Sequence, residues 1–338
     1  TNEIISLSFA GVLNGNPLPD NVIDQSLKFK LFVVEEEGLV FVKSEKNQFS
    51  KMLLCPDTGL NIVFGKTVHR SEWGIDEGQY ISPNGNYIAF YRMDESMVDD
   101  YPLVDVTGSL AVEKPIKYPM AGKKSHQVKV GIFDVQASIN SGTTVYHYIQ
   151  TDPADGEFLT NVTFSPDEKH LFITHLNRAQ NCALLIRYNL KTGQKEKILI
   201  EEKDNRYVEP KTRPYFLTQY PFFVWQSDRD GWNHLYLYTY EGKLITQLTK
   251  GSWQVTELYG MDSKEENIFF ASTNPSQIGN YIYSMSLKSK KIKPIAINEG
   301  THYPIFSDDK SFCIDYFSNL ETPRTISLIN LKDGNTKT

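Results

Sequence analysis

A turn signature recurs four times along the chain, each time just ahead of a short apolar and aromatic run. Ser82-Pro83-Asn84-Gly85 precedes Tyr87-Ile88-Ala89-Phe90, and Ser165-Pro166-Asp167-Glu168 precedes Leu171-Phe172-Ile173. Weaker copies, Asp262-Ser263-Lys264-Glu265 and Ser307-Asp308-Asp309-Lys310, precede Ile268-Phe269-Phe270 and Phe312-Cys313-Ile314. The copies begin at 82, 165, 262 and 307, so the last interval is about half of each of the other two. A four-stranded unit of roughly 45 residues is the mark of a propeller blade, whereas a β-sandwich gives no reason for one turn to return at that spacing.

The remaining pattern agrees. Aromatic residues make up 12% of the chain, with 19 Tyr and 19 Phe, and short alternating runs are bounded by Gly, Asn and Asp, which favours strands and leaves few helices. The expected fold is all-β, a propeller of four-stranded antiparallel blades spanning 1–338. Six blade-sized units fall at about 28–66, 72–150, 158–202, 206–249, 252–297 and 301–335. Within the fourth, strands at 222–227, 234–240 and 244–249 follow one another across the turns Asp228-Arg229-Asp230-Gly231 and Glu241-Gly242, with Tyr259 expected in the fourth strand. The second unit is too long because of an insertion at 94–125. Its Pro102, Pro115 and Pro119 bar it from a central strand, which leaves a projecting arm or a loose surface loop. Tyr101, Leu103, Val104, Val112, Ile116, Tyr118 and Met120 are more apolar surface than a segment keeps in water without a partner, and they favour the arm.

Charge and hydropathy exclude several roles. With 35 Lys+Arg against 41 Asp+Glu the net charge is −6, which gives no basic field for a phosphate backbone, so no nucleic-acid partner is expected. No apolar stretch approaches the ~20 residues of a membrane-spanning helix. The sequence opens Thr1-Asn2-Glu3, without an initiator Met or a signal-peptide pattern, and reads as an excised piece of a longer polypeptide. Cys55, Cys182 and Cys313 lie far apart with no CxxC or Cys/His pair, so buried free thiols are expected, with no zinc site and no disulfide framework.

The chemistry-bearing motifs are mostly missing. No serine has the GxSxG setting of a hydrolase elbow, and GxxxxGK[ST], GxGxxG and HExxH are absent, so neither a catalytic residue nor a cofactor or metal is assigned. The seven histidines, at 69, 126, 147, 170, 175, 234 and 302, are scattered and read as structural or surface groups. The densest polar cluster is 69–78, where Glu72, Asp76 and Glu77 lie beside Arg70, Ser71, Trp73 and two glycines. Carboxylates held there can receive an ammonium through charge-assisted hydrogen bonds; equally, the stretch can be a solvated turn between blades.

These same residues carry a resemblance. His69-Arg70-Ser71-Glu72-Trp73-Gly74-Ile75, Ala89-Phe90-Tyr91-Arg92-Met93-Asp94-Glu95-Ser96-Met97-Val98, Tyr118-Pro119-Met120-Ala121-Gly122, Asn177-Arg178-Ala179-Gln180-Asn181, Tyr207-Val208-Glu209-Pro210 and 225–236 run in one order over about 60–335. The chain resembles the N-terminal β-propeller of the dipeptidyl peptidase IV family of serine peptidases, most closely the bacterial prolyl tripeptidyl peptidase branch.

That resemblance implies an eight-bladed propeller capping an α/β-hydrolase domain that carries the Ser, Asp and His and is not in this chain. The chain alone is then expected to be inactive, gating substrate for an exopeptidase that releases prolyl dipeptides or tripeptides. Glu72 takes the position that holds the free α-amino group of the peptide, with Ser71, Arg70, Trp73 and Asp76 as possible support. Where the dipeptidyl branch has two adjacent glutamates, this chain has Ser71 before Glu72, as in a tripeptidyl-like arrangement. The insertion corresponds to an arm through which family members dimerise, with Tyr101, Leu103, Val104, Tyr118 and Met120 as contacts. A periplasmic, cell-surface or secreted location is implied. The matching region lacks roughly two N-terminal blades of the family propeller, and residues 1–27 cannot supply both; an arginine that helps hold substrate in the family falls in that missing part and has no counterpart here. A free-standing TolB-like binding or scaffold propeller is the alternative that Asp228-Arg229-Asp230-Gly231 and Leu248-Thr249 also resemble.

Overall fold

The computed structural model describes residues 59–338 and, before them, only the backbone of strand segments between residues 4 and 53. Cys55 lies outside the described residues, as does the 1–27 stretch apart from the backbone of Ile4–Ile5, Val12–Leu13 and Asn16–Pro17. The chain divides into two compact units, Thr1–Arg213 and Pro214–Thr338.

The architecture is a series of antiparallel sheets, each built from consecutive strands, and it is a β-propeller fold. In the first unit the backbone strands Phe29–Val34, Gly38–Glu45 and Gln48–Leu53 pair in sequence, followed by a sheet around Tyr87–Asp94 and a four-stranded sheet of Phe158–Phe164, His170–Leu176, Cys182–Asn189 and Lys195–Lys203. The second unit contains three four-stranded sheets, which begin at Tyr215–Phe216, Val255–Met261 and Thr301–Phe306. The first three strands of the 158–203 sheet are buried almost throughout while Lys195–Lys203 is largely exposed, the pattern of a sheet covered on both faces with one free edge. Tyr259 lies in Val255–Met261, the first strand of its own sheet; the fourth strand beside Phe222–Ser227 is Tyr215–Phe216, which precedes it in the chain. A two-residue strand gives too short a pattern to be read from sequence. One helix, Val135–Ser141, also went unforeseen; Asp134 caps it by accepting from the Ala137 N–H at 2.8 Å.

The recurring turn has one physical form in all four copies. The amide of its fourth residue donates to the carbonyl of its first (2.8–3.0 Å), and the fourth residue is left-handed: Gly85 (φ 70°), Glu168 (53°), Glu265 (54°) and Lys310 (54°). The first side chain then accepts the amide two residues past the turn: Ser82 Oγ from Tyr87, Ser165 Oγ from His170, Asp262 Oδ1 from Asn267 and Ser307 Oγ from Phe312. A short side-chain acceptor is needed at position one, and this is why Ser or Asp returns there. Two copies also tie neighbouring sheets. Asn84 N–H and Asn86 Nδ2 donate to Glu168 at 2.7 and 2.6 Å, and in the second unit Thr218 Oγ1 and Gln219 N–H donate to Glu265 at 2.7 and 2.9 Å.

The insertion forms two short antiparallel ribbons, Asp100–Tyr101 with Ile116–Lys117 and Val104–Asp105 with Val112–Glu113. Ion pairs Asp100–Lys117 (3.1 Å), Asp99–Lys123 (3.4 Å) and Asp105–Lys114 run along it. Tyr101, Leu103, Val104, Val112 and Ile116 are exposed, while Tyr118 and Met120 are half-buried.

Candidate functional site

The strand that would accompany Tyr87–Asp94 along one edge is split. Ile62–Phe64 pairs with Arg92–Asp94 and Gln79–Ile81 with Ile88–Phe90, and the chain between them, 65–78, leaves the sheet as a loop. Its two ends meet at Tyr91: Gly65 N–H donates to the Tyr91 carbonyl at 2.7 Å, and Tyr91 N–H donates to the Gly78 carbonyl at 3.0 Å. The loop is thus a closed excursion fixed to one buried residue, whose hydroxyl donates to the Leu159 carbonyl at 3.0 Å.

Within it the backbone is held in a costly shape. His69, Arg70 and Ser71 have φ of 50°, 56° and 60°, Glu72 is extended (−77°), and Trp73 returns to 54°. Left-handed residues other than glycine cost about 1–2 kcal/mol each, so surrounding contacts must impose this turn. His69 is buried; its Nε2 accepts the Leu159 N–H at 3.2 Å, and its Nδ1 lies 2.9 Å from His126 Nε2, which also accepts the His69 backbone N–H at 3.2 Å. The network assigns the protons: His69 carries its hydrogen on Nδ1 and donates it to His126, whose Nε2 is unprotonated. Burial, then the neighbouring His126, holds the His69 pKa well below its ordinary value; burial, then Arg178, lowers that of His126. Both rings are neutral. The Arg70 guanidinium lies 4.3 Å above the Tyr118 ring.

The other side of the loop is packed just as firmly. Trp73 is buried against Phe158 (4.6 Å between rings), Leu176, Ala183 and Val208, and its carbonyl accepts the Thr160 hydroxyl at 2.9 Å. A Cβ on Gly74 would lie 1.8 Å from the Lys211 carbonyl oxygen, so only glycine permits this approach. Val208 N–H donates to the Gln180 carbonyl at 2.7 Å, Asn161 Nδ2 to the Pro210 carbonyl at 2.9 Å, and Arg178 lies 5.6 Å above Phe158. The segments 69–75, 118–122, 177–181 and 207–210 therefore converge on one place.

The three carboxylates of the loop differ. Asp76 and Glu77 both pair with Arg213, the latter at 3.2 Å, and Arg213 lies 4.5 Å over Tyr80. Arg70 is engaged with Tyr118. Glu72 is exposed, and its carboxylate has no hydrogen-bond or ion-pair partner among the described residues. Among the described residues, this turn thus presents one uncompensated anion. Ser71 is exposed beside it. Sequence reasoning read His126 as a structural or surface group and did not single out Phe158 or Arg213. The one available signal was that Arg213 lies three residues beyond the 207–210 segment.

The family model describing the N-terminal region of dipeptidyl peptidase IV matches residues 30–324. The chain belongs to this family. Dipeptidyl peptidase 4 of Arthroderma otae is 26% identical over 235 residues, 66% of this chain and 30% of the relative, and that of Trichophyton rubrum is 25% identical over the same length. Among solved structures, a dipeptidyl aminopeptidase IV candidate of Bacteroides ovatus is 32% identical with a TM-score of 0.73, covering 91% of this chain and 50% of that one. Porphyromonas gingivalis dipeptidyl peptidase 4, 24% identical with a TM-score of 0.80, shares the fold over 91% of this chain and 43% of its own. The chain spans about 30% of the curated relatives' length.

Other features of this dipeptidyl peptidase IV family domain are structural. In the second unit, Arg229 donates to Ser227 Oγ (2.9 Å) and Tyr238 Oη (2.6 Å) and lies 4.6 Å over Tyr236, so the Asp228-Arg229-Asp230-Gly231 turn is a hairpin lock. His302 Nδ1 meets Asp315 at 2.7 Å and its Nε2 meets the Asn298 carbonyl at 3.0 Å; with both nitrogens taken, this ring cannot serve a nucleophile. Cys182 and Cys313 are free, half-buried and buried respectively, and burial, then Asp315, pushes the Cys313 thiol up to about 12. A cavity of about 690 Å³ lined by Asp155, Asn177, Cys182, Glu201 and Lys203 lies on the 158–203 sheet and does not include Glu72. Among the described residues no three His, Cys, Asp or Glu side chains converge as a metal site, and no helix is long and apolar enough to cross a membrane.

Proposed function

We propose that this chain is the substrate-gating propeller of a serine exopeptidase and that Glu72 anchors the α-ammonium of the peptide N-terminus. The observation that carries this is the Glu72 carboxylate, unpaired among the described residues, on a strained and braced turn beside two carboxylates already paired with Arg213. A preorganised anion suits a ligand cation because no reorganisation precedes binding, and an N-acetylated peptide leaves it uncompensated. Hydrolysis belongs to a C-terminal α/β-hydrolase domain of the same polypeptide.

Ser71 in place of a second glutamate supports release of prolyl tripeptides over dipeptides, as in a bacterial prolyl tripeptidyl peptidase, and the Bacteroides ovatus relative supports a bacterial setting. The exposed apolar residues of the 94–125 arm suit pairing with a second copy, and the family setting suits a periplasmic or surface location.

The test is steady-state kinetics of the intact protein on Ala-Ala-Pro-nitroanilide. Glu72→Gln is expected to lower kcat/KM about tenfold or more, the loss of one charge-assisted hydrogen bond, while the already poor N-acetylated substrate is unaffected. Equal rates for wild type and variant would remove the anchor role.

A further inference from the structure

We propose that His126, at the root of the arm, is a positioning residue for Glu72, acting together with Tyr118 through the His69–Ser71 turn. The proposal rests on the amine-anchor reading and adds to it a residue and a route of coupling.

Three successive left-handed residues, none of them glycine, do not persist without external constraint. Two of the three are held by residues at the C-terminal end of the arm. His126 Nε2 accepts from both the backbone N–H and Nδ1–H of His69, and Tyr118 lies under the Arg70 guanidinium. Within the loop, Ser71 N–H reaches only the Val68 carbonyl and Glu72 N–H only the His69 carbonyl, at 3.0 and 3.2 Å. Among the described residues the Glu72 carboxylate has no partner of its own, so its position is inherited from the turn, which the arm root braces at His69 and Arg70. His126 itself makes no contact with Glu72 among the described contacts. Its task is to present an acceptor where a ring Nε2 falls. Glutamine can place an amide oxygen at a similar reach; leucine fills the space and accepts nothing. The arm is thereby coupled to amine recognition: whatever displaces or seats its root biases the presentation of Glu72.

The test is a double-mutant cycle on the intact protein, titrating the tripeptide Ala-Ala-Pro, free or N-acetylated, by calorimetry. Glu72→Gln and His126→Leu are each expected to weaken the free peptide about tenfold, and the double variant no further, because both remove the same interaction. His126→Gln is expected within about threefold of wild type, Tyr118→Leu between the two, and the acetylated peptide indifferent to all. Thermal melting identifies variants that fold; if His126→Leu does not, Tyr118→Leu takes its place in the cycle. Losses that multiply, or a folded His126→Leu protein that binds as wild type while Glu72→Gln does not, overturn the positioning role and leave the anchor reading intact. Wild-type binding by Glu72→Gln overturns both.

Discussion

Gly65 and Gly78 meet backbone to backbone at the base of the loop that carries Glu72: a Cβ on Gly78 would lie 2.4 Å from both the carbonyl carbon and oxygen of Gly65. Closure of the loop on Tyr91 leaves no space for a methyl group there. Gly78→Ala is therefore expected to cost about 2 kcal/mol or more and to lower affinity for free-amine peptides together with the urea midpoint. An unchanged midpoint would show that the loop ends are not locked.

Glu168 links the turn at 165–168 to the turn at 82–85 through donors 84 and 82 residues away in sequence. Burial raises its pKa, but hydrogen bonds from Ser82, Asn86 and Asn84 outweigh burial, and the carboxyl sits below its ordinary value. The folded value being depressed, the stabilisation is complete above the unfolded value near 4.5 and is lost as pH falls through the folded value. Glu168→Ala is expected to cost about 2–3 kcal/mol at pH 7 and to flatten that acid limb; a variant as stable as wild type contradicts the clamp.

The arrangement of sheets was readable from sequence because the recurring turn performs its chemistry locally: a hydroxyl or carboxylate at position one, a left-handed residue at position four. What Glu168 and Glu265 do beyond their own turns was not readable, since a glutamate that ends a turn looks like any solvated one until a neighbouring sheet brings amides to it. The site divides in the same way. Glu72 stood out through its companions, yet what sets it apart from Asp76 and Glu77 is their pairing with Arg213, 137 residues from Asp76, and its posture depends on His126, 57 residues from His69. Such contacts follow from how the sheets stack and leave no periodic mark.

His175 is fully buried beside Tyr188, whose hydroxyl lies 2.7 Å from its Nε2, and burial lowers its pKa to about 4. With His69 and His126 also depressed, the unfolded chain takes up protons that the folded one refuses once pH drops below about 6.5. Stability of the first unit is expected to fall by up to ~1.4 kcal/mol per pH unit for each such ring, over the interval from 6.5 down to its folded value. Urea titrations at pH 7.5 and 5.0 read this directly; equal midpoints would mean that the rings are charged in the fold.

The last sheet presents an apolar face to solvent. Ile314 and Leu328 are cross-strand partners at 36% and 44% exposure, while their neighbours Cys313 and Ile329 are buried. Ile329→Ala is expected to cost about 2–3 kcal/mol, and Ile314→Thr and Leu328→Thr under about 0.5 each with weaker binding of a hydrophobic dye. Equal costs on the two faces would contradict this assignment of inside and outside.

The most direct test compares the three carboxylates of one loop. In the intact protein, kcat/KM for a free-amine prolyl substrate is measured in Glu72→Gln, Asp76→Asn and Glu77→Gln. Glu72→Gln is expected to fall about tenfold or more, and the other two, whose charges already answer Arg213, to stay within about threefold. A comparable fall in all three, or a fall in Asp76→Asn alone, would mean that the loop's net charge or the Arg213 pairing governs the rate, and that Glu72 does not receive the peptide's amine.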